Sequence, residues 1–398
     1  MYGVVLAAGR GTRMQPLTAR RPKPLLPVGD RTLIERVLDT TVDVVDAFVV
    51  VIGYRGEQIC QHLGDEYRGT PVQYVRQDEP RGTAHAVGQA APLVDEAFLV
   101  LNGDVLLDRS LPALLADADT MAIAGTDVPD PRAYGVLSTD DTGSLTGIIE
   151  KPANPPTTLA NVGCYRFDPI VFEYIDRTAE SERGEYELTE SIALLLADGH
   201  DIDVVEYAGT WLDIGRPWEL LAATERTLGT LDRTVTGTVE DDVHIDGPVH
   251  IAAGARVRAG TYIEGPIVIG AGADIGPNAF LRGPAVVGSN VRIGHAVELK
   301  RSVIFADTAI GHLSYVGDSI VGAGVNFGAG TNVANLRHDD QTVRVTVKGE
   351  RVDTGRRKFG VIVGDGTQTG INTSLNAGVV LGTDVTTHPG EVLTEDRR

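Results

Sequence analysis

Residues 3–28 read GVVLAAGRGTRMQPLTARRPKPLLPV. The apolar run at their start, residues 4–8, predicts a buried parallel strand that ends at Gly9 in a glycine-rich loop. Glycine lets backbone N–H groups close on an anion, and five cationic side chains follow within the reach of that loop. They are Arg10, Arg13, Arg20, Arg21 and Lys23. The stretch therefore predicts a phosphate site, and the alternative is a glycine-rich turn beside an ordinary basic surface.

Apolar strands alternate with amphipathic helices through the first part of the chain. This alternation predicts an α/β doubly wound, Rossmann-like domain with a parallel sheet, whose site lies beyond the carboxyl ends of the strands. A further strand near residues 203–207 and a helix ending near Leu228 should close the domain. The predicted earlier strands are residues 4–8, 47–52, 72–75, 98–101 and 121–124.

From about Val239 an apolar residue recurs at every sixth position. A period of six fits a parallel β-helix, in which each hexad supplies one short strand and one turn. The alternative is a purely structural solenoid that serves oligomerisation. The first in-phase positions are Ile251, Val257, Ile263, Ile269, Ile275, Leu281, Val287, Ile293 and Leu299. After a slip the phase resumes at Val321, Phe327 and Val333, and it returns at Val363, Thr369, Leu375 and Leu381.

The strand–helix alternation and the hexad repeat divide the chain into a first domain at 1–228, a linker at 229–238 and a β-helix domain at 239–398. An insertion at 335–360 interrupts the hexads and contains a hairpin with its turn near Lys348 and Gly349. An excursion of this length predicts a binding flap or a contact with a neighbouring subunit.

The formal net charge is −20, from 55 acidic and 35 basic residues among 398. This charge argues against nucleic acid and against a basic membrane-binding patch as partners. Only five of the basic residues are lysines, and an acid-rich, lysine-poor composition resembles the proteins of salt-loving archaea. No apolar run is long enough to span a bilayer and no signal peptide is evident, so we expect a cytoplasmic protein.

The string LAAGRGTRMQPLT followed by PKPLLPV resembles the sugar-1-phosphate nucleotidyltransferase signature. The resemblance implies Mg²⁺ bound by Asp104 and Asp213, and triphosphate charge neutralised by the catalytic residues Arg13 and Lys23. The nucleotide, UTP or dTTP, would contact Leu6, Ala8, Gly9, Gly11, Thr12, Gln77, Gly82 and Thr83. The sugar phosphate would contact Gly135, Glu150, Lys151 and Asn161. The structural alternatives are a turn aspartate for either carboxylate and a surface ion pair for Glu150 and Lys151.

Within the hexads, FLRGPAVVGSNVRIGHAVELKRS and GHLSYVGDSIVGAGVNFGAGTNVAN carry polar residues that repeat packing does not need. They resemble the acetyltransferase half of the bifunctional N-acetylglucosamine-1-phosphate uridylyltransferase/glucosamine-1-phosphate acetyltransferase family, which has a left-handed β-helix. The resemblance implies His312 as general base, since histidine has a near-neutral pKa. It also implies acetyl-CoA near Ala329, and amino-sugar phosphate contacts at Arg282, Lys300, Tyr315, Asn326 and Asn335.

One departure from that family lies after Asn335, where the family carries a lysine. Gln341 and Arg344 occupy the region of this lysine, and arginine can still meet phosphate. The hairpin insertion and the short tail after Leu381 resemble archaeal members of the family.

The sequence thus predicts a bifunctional enzyme of nucleotide-sugar synthesis, trimeric through its β-helix by the same resemblance. One alternative is a glucose-1-phosphate uridylyl- or thymidylyltransferase with a non-catalytic β-helix, and a second is a non-catalytic sensor of nucleotide sugars. His312 and Tyr315 argue against a β-helix without catalysis. The intact set Arg13, Lys23, Asp104 and Asp213 argues against a sensor.

Overall fold

The computed structural model describes residues 1–398, which form two compact units. The α/β unit comprises Met1–Arg10, Pro22–Leu25 and Leu33–Asp213. The β-helix unit comprises Gly11–Arg21, Leu26–Thr32 and Ile214–Arg398. The glycine-rich stretch of the sequence is therefore shared between both units.

Fourteen strands and seven α-helices lie within residues 2–228, and they include the predicted strands at 4–8, 47–52, 72–75, 98–101 and 121–124 and the strand near 203–207. The strands are β1 (Tyr2–Ala7), β2 (Pro27–Val28), β3 (Arg31–Thr32), β4 (Ala47–Ile52), β5 (Glu66–Tyr67), β6 (Thr70–Arg76), β7 (Phe98–Asn102), β8 (Val105–Leu107), β9 (Met121–Asp127), β10 (Gly135–Thr139), β11 (Leu145–Glu150), β12 (Leu159–Phe167), β13 (Ile202–Glu206) and β14 (Trp211–Asp213). The helices are α1 (Leu33–Thr41), α2 (Gly56–Leu63), α3 (Thr83–Gly88), α4 (Ser110–Ala116), α5 (Val171–Arg177), α6 (Leu188–Ala197) and α7 (Pro217–Leu228). No helix has the length and apolar character that a membrane crossing demands.

The main sheet of the α/β unit has the order β11-β10-β12-β7-β1-β4-β6-β5, and β9 and β13 continue it from β12. Strand β1 pairs in parallel with β4 and β7, as the predicted doubly wound fold requires. The sheet is mixed, however, because β12 runs antiparallel to β7 and β10 runs antiparallel to β11. The α/β fold is confirmed, and antiparallel strands that the apolar runs did not reveal extend it.

The central strands of this sheet are buried on both faces. Val4 and Val5 are neighbours on β1, yet they belong to different apolar clusters, because successive strand side chains point to opposite faces. Each fully buried side chain of this size stabilises the fold by about 1.5–3 kcal/mol. Two clusters around one sheet fix the strands rigidly and hold the ends of β1, β4 and β7 at one edge.

The β-helix consists of three parallel sheets, each taking every third strand of the coil. The first holds β15 (Thr234–Val235), β18 (Val249–Ile251), β21 (Ile267–Ile269), β24 (Ala285–Val287), β27 (Val303–Ile304), β30 (Ile320–Val321), β35 (Ile362–Val363) and β38 (Val380–Leu381). The second holds β16 (Thr238–Val239), β19 (Arg256–Val257), β22 (Asp274–Ile275), β25 (Arg292–Ile293), β28 (Ala309–Ile310), β31 (Asn326–Phe327) and β36 (Gln368–Thr369). The third holds β17 (His244–Asp246), β20 (Tyr262–Glu264), β23 (Phe280–Arg282), β26 (Glu298–Lys300), β29 (Tyr315–Gly317), β32 (Asn332–Val333), β37 (Ser374–Leu375) and β39 (Val392–Leu393). The left-handed β-helix expected from the hexads is confirmed.

The register between coils explains both the hexad period and its slip. Val249 pairs with Ile267 and Ile267 with Ala285, so one coil takes 18 residues, or three hexads. Val286 pairs with Val303, 17 residues on, and this shorter coil shifts the phase by one residue. The apolar hexad positions line one continuous core. Ile304, Ile310 and Val316 also belong to that core, although the sequence pattern did not include them because the 17-residue coil moves them one position out of phase.

The insertion leaves the coil after β32 and returns before β35. It contains the predicted hairpin, formed by β33 (Arg344–Val347) and β34 (Glu350–Asp353), with Lys348 and Gly349 at the turn. Both turn residues have positive φ, 51° and 90°, which suits a two-residue hairpin turn. The insertion does not break the solenoid, because Ile320 pairs directly with Ile362.

At its beginning the solenoid starts earlier than the sequence boundary suggested. Strand β15 at Thr234–Val235 already pairs with β18, inside the segment 229–238 that we expected to be a linker. Helix α7 belongs to the β-helix unit, where its Glu225 accepts hydrogen bonds from Arg301 at 3.2 Å and from Arg356. The polar, proline-free sequence after α7 carried no apolar hexad signal, which is why its strand was missed.

A substitution in the β-helix core tests this packing. Ile275→Ala removes a side chain with 0% exposure from a solenoid layer and should lower the free energy of unfolding by about 2–5 kcal/mol. The matched control is Arg292→Ala, an exposed residue on the strand stacked against β22. Guanidinium unfolding of both variants measures the difference, and equal effects would contradict the layer assignment.

Candidate active sites

A cleft of about 110 Å³ lies beyond the carboxyl ends of β1, β4 and β6. The residues lining it are Ala8, Arg10, Gly53, Tyr54, Arg76, Gln77, Asp78 and Pro80. A Cβ at Gly53 would lie 2.6 Å from the carbonyl oxygen of Ala8, so only glycine permits this approach of two strand ends. The edge of the sheet thus supplies a concave site with backbone on one side and polar side chains on the other.

Gln77 is held in this cleft by its own amide. Its Nε2 donates to the carbonyl of Gly82 at 3.1 Å and lies 2.9 Å from Nδ1 of His85. These bonds leave Oε1 as the group that can accept from a ligand, and the side chain is only 6% exposed. A buried amide fixed in this way can read the polar edge of a base.

Gly82 and Thr83 stand in the same loop. Gly82 has φ 107°, and a Cβ there would lie 2.4 Å from the carbonyl oxygen of Tyr186. The hydroxyl of Thr83 accepts from the N–H of Leu188 at 3.0 Å. The structure therefore brings together the three residues predicted to read the base, and their loop is tied to residues 186–188.

Lys23 and Asp104 form a hydrogen-bonded ion pair at the same edge. The Lys23 side chain is 8% exposed and that of Asp104 is 35% exposed. Asp213 lies at the end of β14, whose backbone pairs it with Val105, the residue after Asp104. Both predicted metal ligands thus sit at adjacent positions of paired strands.

The donor set around these aspartates fits Mg²⁺. No group of three or more His, Cys, Asp or Glu side chains in the structure could hold a metal ion by itself. Mg²⁺ needs no such cage, because it binds through one or two carboxylates and takes its other ligands from water and substrate phosphate. Two adjacent carboxylates, one of them open to solvent, meet that requirement.

The residues predicted for the sugar phosphate gather around Gly135. Gly135 pairs with Glu150 across β10 and β11, and a Cβ at Gly135 would lie 3.3 Å from Oε2 of Glu150 and 3.4 Å from Cβ of Asn161. Lys151 Nζ donates to Glu150 Oε1 at 2.8 Å. A carboxylate, an ammonium and an amide therefore surround a backbone stretch without a side chain.

Two residues of this group were missed by the sequence. Arg183 Nη2 donates to Glu150 Oε1 at 3.3 Å, and the hydroxyl of Tyr165 accepts from Asn161 Nδ2 at 2.8 Å. Burial raises the pKa of Tyr165, so its hydroxyl stays protonated and holds the amide. Arg183 stands in no recognisable motif, whereas Tyr165 lies on β12 four residues after Asn161, where a register shift between the two lets the hydroxyl reach the amide.

Arg13 and its neighbours Gly11 and Thr12 belong to the β-helix unit. Gly11 has φ 58° and precedes the 3-10 turn Thr12–Met14. The guanidinium of Arg13 lies against Gly215, where a Cβ would be 3.3 Å from Nη2. Arg13 is exposed and therefore available to an anion.

The third sheet of the β-helix carries the second candidate site. Arg282 and Lys300 are stacked on successive coils, with Gly317 next in the column, and Tyr315 stands in the adjoining column. Asn335 Nδ2 donates to the hydroxyl of Tyr315 at 3.0 Å. Four of the predicted amino-sugar phosphate residues thus share one face. Asn326 lies on β31 in the second sheet, away from that face.

His312 and Ala329 lie in turns between the second and third sheets, on neighbouring coils. The backbone N–H of His295 donates to Nδ1 of His312 at 3.1 Å. Nδ1 therefore carries no proton in this arrangement, and the neutral ring carries it on Nε2. His312 is exposed, as a group that meets a substrate has to be.

Lys358 is a cation at this site that the sequence did not reveal. The insertion returns so that Leu336 bridges to Lys358 and the N–H of Phe359 donates to the carbonyl of Asn335 at 3.0 Å. Lys358 is close enough to repel the ammonium of Lys300. The sequence offered no clear counterpart of the family's lysine, because Gln341 and Arg344 occupy the region where it was expected. In the structure Arg344 donates to the carbonyl of Arg351, and the cation beside Lys300 is Lys358.

Asp318 is the buried carboxylate behind the same site. It is 1% exposed, and its Oδ2 accepts from Nδ2 of Asn335 at 2.6 Å. Burial lowers the pKa of Lys300, the charge of Asp318 raises it, and repulsion by Lys358 lowers it. Arg282 and Arg301 lower the pKa of Lys300 as well, so Asp318 is the neighbour that opposes three cations.

Two family models match the chain. The family "Nucleotidyl transferase" matches residues 2–229, and the family "GMPPB C-terminal domain" matches residues 263–359. The chain is 40% identical to the "Bifunctional sugar-1-phosphate nucleotidylyltransferase/acetyltransferase" of Sulfurisphaera tokodaii over 401 residues, which cover 100% of this chain and 98% of that protein. It is 40% identical to the "Bifunctional protein GlmU" of Methanocaldococcus jannaschii over 384 residues, which cover 96% of this chain and 92% of that protein.

Among solved structures, a Bacillus anthracis protein assigned as a glucose-1-phosphate thymidylyltransferase superposes with a TM-score of 0.52 at 27% identity. It covers 56% of this chain and 94% of its own. The superposed part is about as long as residues 2–229, which the family "Nucleotidyl transferase" matches.

Replacing Asp318 and replacing Lys358 should shift the pKa of Lys300 in opposite directions. Asp318→Asn removes a charge that raises the pKa of Lys300 and should lower that pKa further, whereas Lys358→Gln removes a repulsion and should raise it. NMR titration of ¹³C-methylated lysines measures both, since the chain has five lysines and a Lys300→Arg variant assigns the signal. Shifts in the same direction for both variants would contradict this arrangement.

Proposed function

The chain belongs to the family of bifunctional sugar-1-phosphate nucleotidyltransferases/acetyltransferases, and from this premise we propose that it makes a UDP-N-acetylamino sugar in two steps. The β-helix acetylates glucosamine-1-phosphate with acetyl-CoA. The N-terminal site then joins N-acetylglucosamine-1-phosphate to the uridylyl group of UTP, or to the corresponding group of dTTP, and releases pyrophosphate. We assign the nucleotidyl transfer to 1–228 and the acetyl transfer to 239–398.

One observation carries this proposal. Each unit has its own group of polar residues of the kind that its reaction needs: the ion pair Lys23–Asp104 beside Asp213 in one, and Arg282, Lys300 and Tyr315 on one face of the other. A β-helix that served only assembly would not need two stacked cations beside a buried carboxylate. These cations support a phosphate ligand on the β-helix.

In nucleotidyl transfer, a phosphate oxygen of the sugar phosphate attacks the α-phosphorus of the nucleotide, and the bond to pyrophosphate breaks. Asp104 and Asp213 would hold Mg²⁺, which supplies neutralisation of charge on the transferring phosphate. Lys23 and Arg13 neutralise the pyrophosphate as negative charge develops on it. Gln77, Gly82 and Thr83 hold the base, while Glu150, Lys151 and Asn161 hold the sugar phosphate for in-line attack.

In acetyl transfer, the amine of the sugar attacks the thioester carbonyl, and the bond to sulfur breaks to release CoA. His312 takes the proton that the amine loses. A base at Nε2 requires the ring proton on Nδ1, so the hydrogen bond from His295 opens when His312 acts. Arg282, Lys300 and Lys358 hold the phosphate, and Tyr315 and Asn335 orient the sugar.

We also propose that the chain acts as a homotrimer in the cytoplasm of a halophilic archaeon. His312 and Asn326 lie off the face that carries Arg282 and Lys300, which supports a site completed by a neighbouring copy. The acidic surface supports a requirement for molar salt. Light scattering at molar salt should give the mass of three 42.3 kDa chains, and a monomer of full activity would contradict the shared site.

Asp104→Asn tests the separation of the two reactions. The variant keeps the volume of the side chain but loses the charge that binds metal, so pyrophosphate release should fall by at least about a thousandfold while CoA release stays within twofold. The matched control is Asp117→Asn, a carboxylate after α4 and outside the site. Loss of both reactions in a folded variant would contradict two separate sites.

Asn161→Ala tests how the sugar is recognised. The variant should lower kcat/KM for N-acetylglucosamine-1-phosphate by about tenfold, because a half-buried amide that meets the 2-substituent is lost, and should change kcat/KM for glucose-1-phosphate by less than threefold. Tyr165→Phe removes only the hydroxyl that holds the amide and should have a smaller effect of the same kind. Equal losses for both sugars would show that Asn161 does not read the 2-substituent.

A further inference from the structure

The segment Gly11–Arg21, which we call the strap, is the part of the glycine-rich stretch that belongs to the β-helix unit. Its middle is anchored by Met14 and Leu17, both at 0% exposure. The hydroxyl of Thr18 donates to the carbonyl of Gly11 at 2.9 Å and closes the strap on itself. The strap carries Arg13, so whatever fixes the strap also fixes a cation of the nucleotidyl transfer.

The end of the strap is clamped by Asp365 and Phe305. Arg21 Nη2 donates to Asp365 Oδ2 at 2.6 Å, and the guanidinium lies 4.9 Å from the centre of the Phe305 ring. Asp365 is 3% exposed and Phe305 is 2% exposed, so the solenoid coil holds both of them rigidly. The carboxylate is further oriented by the N–H of Ala323, which donates to Oδ1 at 2.8 Å.

A second ion pair, between Arg20 and Asp384, lies beside this clamp and differs from it in exposure. Its side chains are 49% and 60% exposed, whereas those of Arg21 and Asp365 are 20% and 5% exposed. Exposed pairs contribute little because water screens them, while a charge-assisted bond to a buried carboxylate with a cation–π contact is stronger. The chain therefore contains an inner pair suited to hold the strap and an outer pair that serves as its control.

Asp365 lies in a turn of the β-helix and contributes no side chain to the apolar core. Its replacement by asparagine leaves the apolar layers intact, so the main consequence falls on the strap. Nucleotidyl transfer proceeds largely through positioning and charge neutralisation, and a displacement of about 1 Å in a catalytic group can cost about a hundredfold in rate.

We propose that Asp365, with Phe305, is a positioning residue for nucleotidyl transfer: it fixes Arg21 and thereby the strap that presents Arg13. The inference rests on the proposed function in one respect, the role of Arg13.

The test uses Asp365→Asn in the full-length protein, with Asp384→Asn as control. Asp365→Asn should lower kcat for pyrophosphate release by about tenfold, leave KM for the sugar phosphate within twofold, and leave CoA release unchanged. Asp384→Asn should leave all three quantities unchanged. Arg21→Gln combined with Asp365→Asn should lose no more than Asp365→Asn alone, because both changes break one contact.

Hydrogen exchange of residues 11–21 provides a readout that does not depend on the reaction. Faster exchange in Asp365→Asn, but not in Asp384→Asn, is expected, since the clamp is open only in the first. Unchanged exchange, unchanged kcat, or equal loss of both reactions in Asp365→Asn would each overturn the proposal. Absence of pyrophosphate release in the intact protein would instead overturn the proposed function, while exchange would still report on the clamp.

Discussion

Parallel pairing between successive coils of the β-helix is the constraint on which most of this structure depends. Residues 17 or 18 positions apart are stacked on each other because each coil repeats the backbone hydrogen bonds of the last. The same pairing that builds the apolar core therefore builds the columns that carry Arg282 and Lys300 outside it. It also places Phe305 and Asp365 where they reach Arg21. A solenoid that needs regular packing inside gains an ordered array of polar groups on its surface.

Lysine usage shows where this chain needs a compact positive charge. In a composition dominated by arginine, Lys23 pairs with Asp104, Lys151 with Glu150, and Lys300 and Lys358 stand together near Asp318. An ammonium is a point charge that can move from a carboxylate to a phosphate, while a guanidinium prefers a fixed planar partner. The arginine clamps on Asp365 and Glu225 hold structure, whereas four of the five lysines lie at the candidate sites and Lys348 lies at the hairpin turn.

The fold could be predicted from the sequence to a large extent, because two patterns in it are strong: the alternation of apolar strands with helices in the first domain and the six-residue repeat in the second. Apolar runs revealed the central strands, and nine hexads revealed the coil. Strands β10, β11 and β12 were missed, although they carry Gly135, Glu150 and Asn161. Only β11 has a half-buried pattern, whereas β12 is mostly buried but its apolar run is interrupted by Asn161 and Gly163. Lys358 was missed because a hairpin returns it to Asn335 across more than twenty residues, a path that no local pattern records. The site residues were named through family motifs, whereas their partners Tyr165, Asp318 and Asp365 required the folded chain.

The central claim is that the β-helix is itself a catalyst, and CoA release from acetyl-CoA with glucosamine-1-phosphate at high salt tests it most directly. We expect release by the intact protein and none above background by His312→Ala, with pyrophosphate release from UTP unchanged in that variant. If neither protein releases CoA while both release pyrophosphate, the β-helix serves assembly or regulation and the two-step account is contradicted.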